Sequence, residues 1–105
     1  MNDVIATMLA QMGGIGPIAV MTGAQIVYDN DTNSATLVFR KQQGNKKISH
    51  LKVTYEVGLD LYKLEGYRYN KRTLKCPMVY DLNMVYGEDL KSICEDVTGL
   101  YFSLR

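Results

Sequence analysis

The chain has 105 residues, of which 47% are hydrophobic and 22% charged, the balance of one globular domain spanning 1–105 with room for a single core. The net charge of +1 hides a segregation: residues 1–39 carry three acids and no base, residues 40–75 ten bases and three acids, and residues 76–105 two bases and five acids. Two cysteines are too few for a disulfide framework or a zinc set, and no stretch approaches the ~20 apolar residues of a membrane span.

The N-terminus has no basic region leading into an apolar run, so no signal peptide is expected. The expected setting is a reducing cytoplasm, with Cys76 and Cys94 as buried free thiols and a bridge between them as the minor alternative. The first element is a helix. Asn2 or Asp3 caps it, and Ile5, Met8, Leu9 and Met12 recur at i, i+3, i+4, i+7 before Gly13-Gly14 ends it. That stripe suits a core or a dimer face. Ile15–Gly23 is a short apolar run in which Pro17 fits a first helical turn and Gly23 a stop. It reads as a short helical turn or loop tucked against the core, with an extended buried run as the alternative.

Gln25–Tyr28 and Ala35–Arg40 flank Asp29–Ser34, whose Asn and Asp side chains favour a hairpin turn. The turn lacks the glycine and closing Glu of an EF-hand loop, so no metal is expected there. Gln42–Lys47 is a second polar turn. His50–Val57 then alternates, with Leu51, Val53, Tyr55 and Val57 on one side and Lys52, Thr54 and Glu56 on the other, the pattern of a half-buried antiparallel strand. Gly58-Leu59-Asp60 turns the chain into Leu61–Tyr69, where Gly66 suits a bulge. Asn70–Thr73 is an exposed turn. Leu74–Tyr80 is a weaker last strand, and Pro77 confines it to an edge or a bulge because it has no N–H to donate.

Asn83–Leu104 holds the most legible helix. Tyr86, Leu90, Ile93, Cys94 and Val97 share one face, and Lys91, Ser92, Glu95 and Asp96 the other. Asn83 is the expected cap. Gly99 is the expected stop, with Leu100 folding back onto Cys94. Burial of Leu90, Ile93 and Val97 is worth roughly 1.5–3 kcal/mol each. Glu95 and Asp96 lie at the negative end of the helix dipole, which suggests that a cation meets them. The fold class expected is α+β: an antiparallel sheet of four to five strands, with the N-terminal helix and the C-terminal helix packed on it.

The catalytic inventory is thin. There is one histidine, His50, with no flanking Asp or Cys, and no nucleophile elbow, Walker loop, zincin or paired-cysteine motif. Gly13-Gly14-Ile15-Gly16-Pro17 follows a helix instead of a strand and reads as a connector, not a phosphate cradle. Asp29 with Asp31, Glu88 with Asp89, and Glu95 with Asp96 are near pairs on turns or outer helix faces, whereas acid–base carboxylates need a cleft. No enzyme and no cofactor are expected. The basic middle stands out instead. Arg40, Lys41, Lys46, Lys47 and Lys52 surround the second turn and the strand after it. Arg68, Lys71, Arg72 and Lys75 surround the third, and Tyr67 and Tyr69 alternate with Arg68. Cations along a backbone with aromatic faces for stacking are what single-stranded DNA or RNA needs, on a basic sheet face. Lysines also protect turns and strand edges without any ligand. The other reading is a protein-interaction module or homodimer, because acidic ends and a basic middle are self-complementary.

Three blocks carry a resemblance: MTGA at Met21–Ala24, the VT within LKVTYEVGLDLY at Leu51–Tyr62, and TGLYFSL at Thr98–Leu104. Together they resemble a family of small, uncharacterised proteins of tailed bacteriophages and related mobile elements. After the DLY turn that family has a V-E-F-x-R-I-R-G-like strand, where this chain reads KLEGYRYNKR; the basic character is kept and the spacing is not. The resemblance implies a phage origin and not a mechanism, and carries over no catalytic residue; in a phage-encoded chain the interaction-module reading becomes a binder of a host or phage protein, for instance an inhibitor of a host defence protein. The order of strands closed by a helix is also similar to Whirly-type single-strand-binding domains, a likeness of fold only.

Overall fold

A computed structural model describes residues 1–103. The elements run α1 (Asp3–Gln11), α2 (Ile15–Thr22), β1 (Gln25–Asp29), β2 (Ser34–Gln43), β3 (Ile48–Glu56), β4 (Leu61–Tyr67), β5 (Met78–Val85) and α3 (Gly87–Thr98). The five strands form one antiparallel meander in sequence order, as expected when polar turns of a few residues join neighbours. The fold is α+β, as the sequence pattern suggests.

Period-two alternation sets the sheet's inner face. Leu37 stands opposite Leu51, and Val53 lies between Ala35 and Leu64; all five are buried. The helices cover them with Ile5, Met8 and Leu9 from α1, Met12 at its C-cap, and Leu90 and Cys94 from α3, every one fully buried. The methionine stripe is therefore core. Asn2 caps α1 by accepting from the Ile5 amide at 2.8 Å, and its own side chain donates to Asn33 at 2.8 Å. The first hairpin turn is thus bolted to the start of α1. Asp29 accepts from the Asp31 amide at 2.9 Å, an Asx turn of the kind its composition favours.

Four expectations are corrected. Ile15–Gly23 is a full helix, α2, but only Ile18 of it is buried, and Val20 is 80% exposed. The last strand is not Leu74–Tyr80 but Met78–Val85. Asn70 closes a small loop first: its side chain accepts from the Arg72 amide at 2.9 Å, and its backbone pairs with Lys75. Pairing with β4 begins only after Pro77, at Tyr67–Met78. The resulting β5 is an edge strand, and Pro77 lies just before it instead of inside it. Asn83 does not cap α3 but lies inside β5, because the ladder continues to Tyr62–Val85; Tyr86 takes the cap position and points to solvent at 60% exposure. Cys76 is exposed, whereas Cys94 is buried, and both are free thiols.

The close of α3 follows the sequence. Gly99 has φ 70° and its amide donates to the Glu95 carbonyl at 2.8 Å, the left-handed stop glycine makes cheap. Phe102 then turns back into the core, fully buried. Its amide donates to the Glu95 carboxylate at 2.8 Å. The carboxylate at the negative helix end therefore meets a backbone N–H. Gly66 sits where the β4–β5 register shifts. A Cβ there would come within 2.8 Å of Ile48 and 3.0 Å of Tyr80, so core side chains occupy that space.

Candidate nucleic-acid interface

The open face of the sheet is not uniformly basic. Lys52 stands between Thr36 and Glu65, and Glu65 is paired with Asp81 on β5. Cross-strand neighbours lie about 4.5–5.5 Å apart, so Lys52 faces a carboxylate. Tyr67 donates its hydroxyl to Glu65 at 3.0 Å, and burial, followed by that bond, raises its phenol pKa above the ordinary range. Lys52 therefore has an acidic neighbour on the open face, and the Tyr67 hydroxyl is engaged with Glu65.

The positive charge gathers instead at one end of the sheet. An open cleft of about 680 Å³ lies where β2 leaves the sheet, where β3 begins and where β4 runs into the loop before β5. Arg40, Lys41, Arg68, Lys71 and Arg72 line it together with Tyr69, His50, Gln42 and Asn70, and no Asp or Glu does. Five cations without a counter-carboxylate make a positive potential that low-dielectric walls concentrate.

Local chemistry holds this cleft in shape. The Arg68 guanidinium donates to the Lys46 carbonyl from Nε at 3.2 Å and from Nη2 at 2.7 Å, a forked contact that lysine could not make. The Tyr69 amide donates to Ser49 Oγ at 2.8 Å, and the same hydroxyl bonds the Tyr67 carbonyl and lies 2.8 Å from His50 Nδ1. Ser49, buried at the start of β3, therefore fixes both Tyr69 and His50. Tyr69 remains 37% exposed, enough ring for a base to lie against. Asn70 shapes the loop that carries Lys71 and Arg72. The sequence pattern points to Arg40, Lys41, Arg68, Tyr69, Lys71 and Arg72, and these meet. His50, set aside as incidental, joins them, and Ser49 and Gln42 carried no sequence signal beyond proximity to the basic turn.

Lys46, Lys47, Lys52, Tyr67 and Lys75 fall outside the cleft. Lys46 shares a separate hollow with Asn45, Tyr80, Asp96 and Val97, beside the negative end of α3, where a cation is favoured. The turn packs tightly there. Gly44 has φ 75°, and a Cβ on it would overlap the Val97 carbonyl oxygen.

The opposite end of the sheet has the opposite character. A second open cleft of about 680 Å³ is lined by Asp3, Asp60 and Glu88, by Tyr55, Tyr62 and Tyr86, and by Val4, Thr7, Gln11 and Gly87, with no Lys, Arg or His among the described residues. The Tyr55 and Tyr62 rings lie 5.5 Å apart, tilted by 60°. Tyr62 donates to Gln11 at 2.6 Å and Tyr55 to Asp60. Both phenols are held protonated above their ordinary range, Tyr55 chiefly by its bond to Asp60, Tyr62 by burial and then by the charge of Asp60. Among the described residues no group of three or more His, Cys, Asp or Glu is arranged to hold a metal ion, and no single helix is long and apolar enough to cross a membrane.

No family model, curated protein or solved structure matches the chain. The blocks that carry the phage resemblance have structural work here. Thr22 and Gly23 end α2, Val53 is core, and Gly99 and Phe102 close α3. Leu104, the last residue of the third block, lies outside the described residues.

Proposed function

We infer that the protein is a non-catalytic, phage-encoded binding protein that takes single-stranded DNA or RNA along the basic cleft, in the host cytoplasm. The observation that supports this is the convergence of Arg40, Lys41, Arg68, Lys71 and Arg72 around the half-open ring of Tyr69 with no carboxylate among them. Cations neutralise the phosphates, and the aromatic face accepts a base of any sequence. Five phosphate contacts to a single strand give a log–log salt slope of about −3 to −4.

Titration of a labelled oligonucleotide at 50 and 200 mM salt tests the reading. Binding that weakens with that slope, and falls at least tenfold in a Lys41→Ala/Arg72→Ala variant, supports it. No binding at the lower salt sinks it. These two side chains are exposed, so the variant keeps its structure.

A second reading rests on a different surface. The outer edge of β5 pairs with no other strand among the described residues, and Met78, Leu82 and Met84 on it are 46%, 36% and 65% exposed. An apolar, open edge accepts a strand from a partner protein, which fits a module that captures a host or phage protein or pairs with itself. A nuclease-treated pull-down from host lysate, lost on Leu82→Lys, favours it.

A further inference from the structure

The two clefts lie at opposite ends of β3 and β4. The Tyr55–Tyr62 pair belongs to the acidic one and the His50–Tyr67 pair borders the basic one. They are five residues of strand apart, roughly 17 Å at ~3.4 Å per residue. One molecule cannot join its own two ends.

The surfaces match in apolar character as well as charge. Beside Asp60, at the rim of the acidic cleft, the β3–β4 turn exposes Val57 at 68% and Leu59 at 60%. Beside Arg72, the β4–β5 loop exposes Leu74 at 74%. That loop is already ordered: the Leu74 amide donates to the Asn70 carbonyl at 2.8 Å, and the Asn70 amide to the Lys75 carbonyl at 2.8 Å. A preformed loop loses little conformational freedom on docking. In the receiving cleft, carboxylates stand next to tilted tyrosine rings, whose faces attract guanidinium and ammonium groups.

We propose that the protein associates head to tail with further copies of itself, the β4–β5 loop of one copy seating Lys71 and Arg72 in the Asp60–Glu88 cleft of the next and Leu74 against its Val57 and Leu59. Such a contact joins two different patches, so it repeats into a ring or a filament instead of stopping at a dimer. The loop also borders the basic cleft, so single-stranded nucleic acid and a second copy compete for Lys71 and Arg72.

Sedimentation velocity on nuclease-treated protein at 50 mM salt tests this. Species larger than a dimer are expected, with a return toward monomer at 500 mM salt. Two variants sharpen it. Asp60→Asn/Glu88→Gln neutralises the cleft; Asn tolerates the positive φ of Asp60 (54°) and still accepts from Tyr55. Lys71→Gln/Arg72→Gln neutralises the loop. Each variant alone should associate at least tenfold more weakly than the unaltered chain while still unfolding cooperatively, with only the small loss of stability that neutralising Glu88 in the first turn of α3 brings. An equimolar mixture should restore one good loop and one good cleft and stop at a heterodimer. Unaltered protein that stays monomeric at low salt, or that stops at a dimer, overturns the proposal, as does a mixture that fails to pair. The cleft variant leaves the basic residues intact, so oligonucleotide binding by it reports on the nucleic-acid reading separately.

Discussion

At one end of the sheet Tyr55, Asp60 and Tyr62 crowd against α1 and the start of α3, and the acids there have local reasons to be charged. Asp3 and Glu88 sit in the first turns of α1 and α3, where the helix dipole favours an anion. At the other end Arg40, Lys41, Lys71 and Arg72 are exposed on loops and on the end of a strand, and no helix terminus or carboxylate of the cleft explains them. The difference teaches which charges the fold itself uses. The acidic end is tied into the core by side chains, through Tyr62 and Gln11. The basic end is tied by backbone carbonyls, through Lys46 O to Arg68 and the close approach of Gly44 to Val97. Arg40, Lys41, Lys71 and Arg72 take no part in those ties.

That contrast can be broken at its anchors. Gly44→Ala should have the largest effect. It forces a side chain into a positive φ and into the Val97 carbonyl, and should cost about 2–4 kcal/mol in urea unfolding. A loss under 0.5 kcal/mol would mean that the basic turn is not packed on α3 as described.

The thiols separate the two regions next. Burial pushes the Cys94 thiol well above its ordinary value of 9.0, with the charge of Glu95 adding to the effect. The folded state then keeps a proton that the unfolded chain loses above pH 9, so stability falls as pH rises past that point, by about 1.4 kcal/mol per pH unit. Cys94→Ala should remove this part of the slope between pH 9 and 10. Cys76, exposed on the basic loop, should label with a maleimide at once, and bound oligonucleotide should slow that labelling. Equal labelling rates for both thiols in folded protein would contradict the burial assigned to Cys94.

Smaller effects grade the acidic end. Tyr62→Phe removes the bond to Gln11 from a buried ring and should cost about 1 kcal/mol. Tyr55→Phe removes a bond at the surface and should cost only a few tenths. If the order of the two is reversed in thermal unfolding, the Tyr55–Asp60 bond, not the Tyr62–Gln11 bond, is what organises that cleft.

Much of the fold was legible in the chain because it depends on short-range rules. The i, i+3, i+4, i+7 stripe of α1, the alternation of Leu51 and Val53, and the stop at Gly99 each follow from local geometry and from which side faces water. The edges of β5 were not legible. Pro77 and the Asn70 turn delay the strand, and pairing with Tyr62 carries it past Asn83, so a capping side chain was drawn into a ladder. Exposure of Cys76 followed from the same displacement.

The residue types of the basic middle, and their lack of a catalytic companion, were written in the sequence by itself. Which of them meet was decided only by the tertiary structure. Strand register set Lys52 against Glu65, packing of Gly44 carried Lys46 toward Asp96, and the sheet's end drew Arg40, Lys41, Arg68, Lys71 and Arg72 together. Proximity between residues tens of positions apart is a property of pairing and core packing, and no local pattern encodes it.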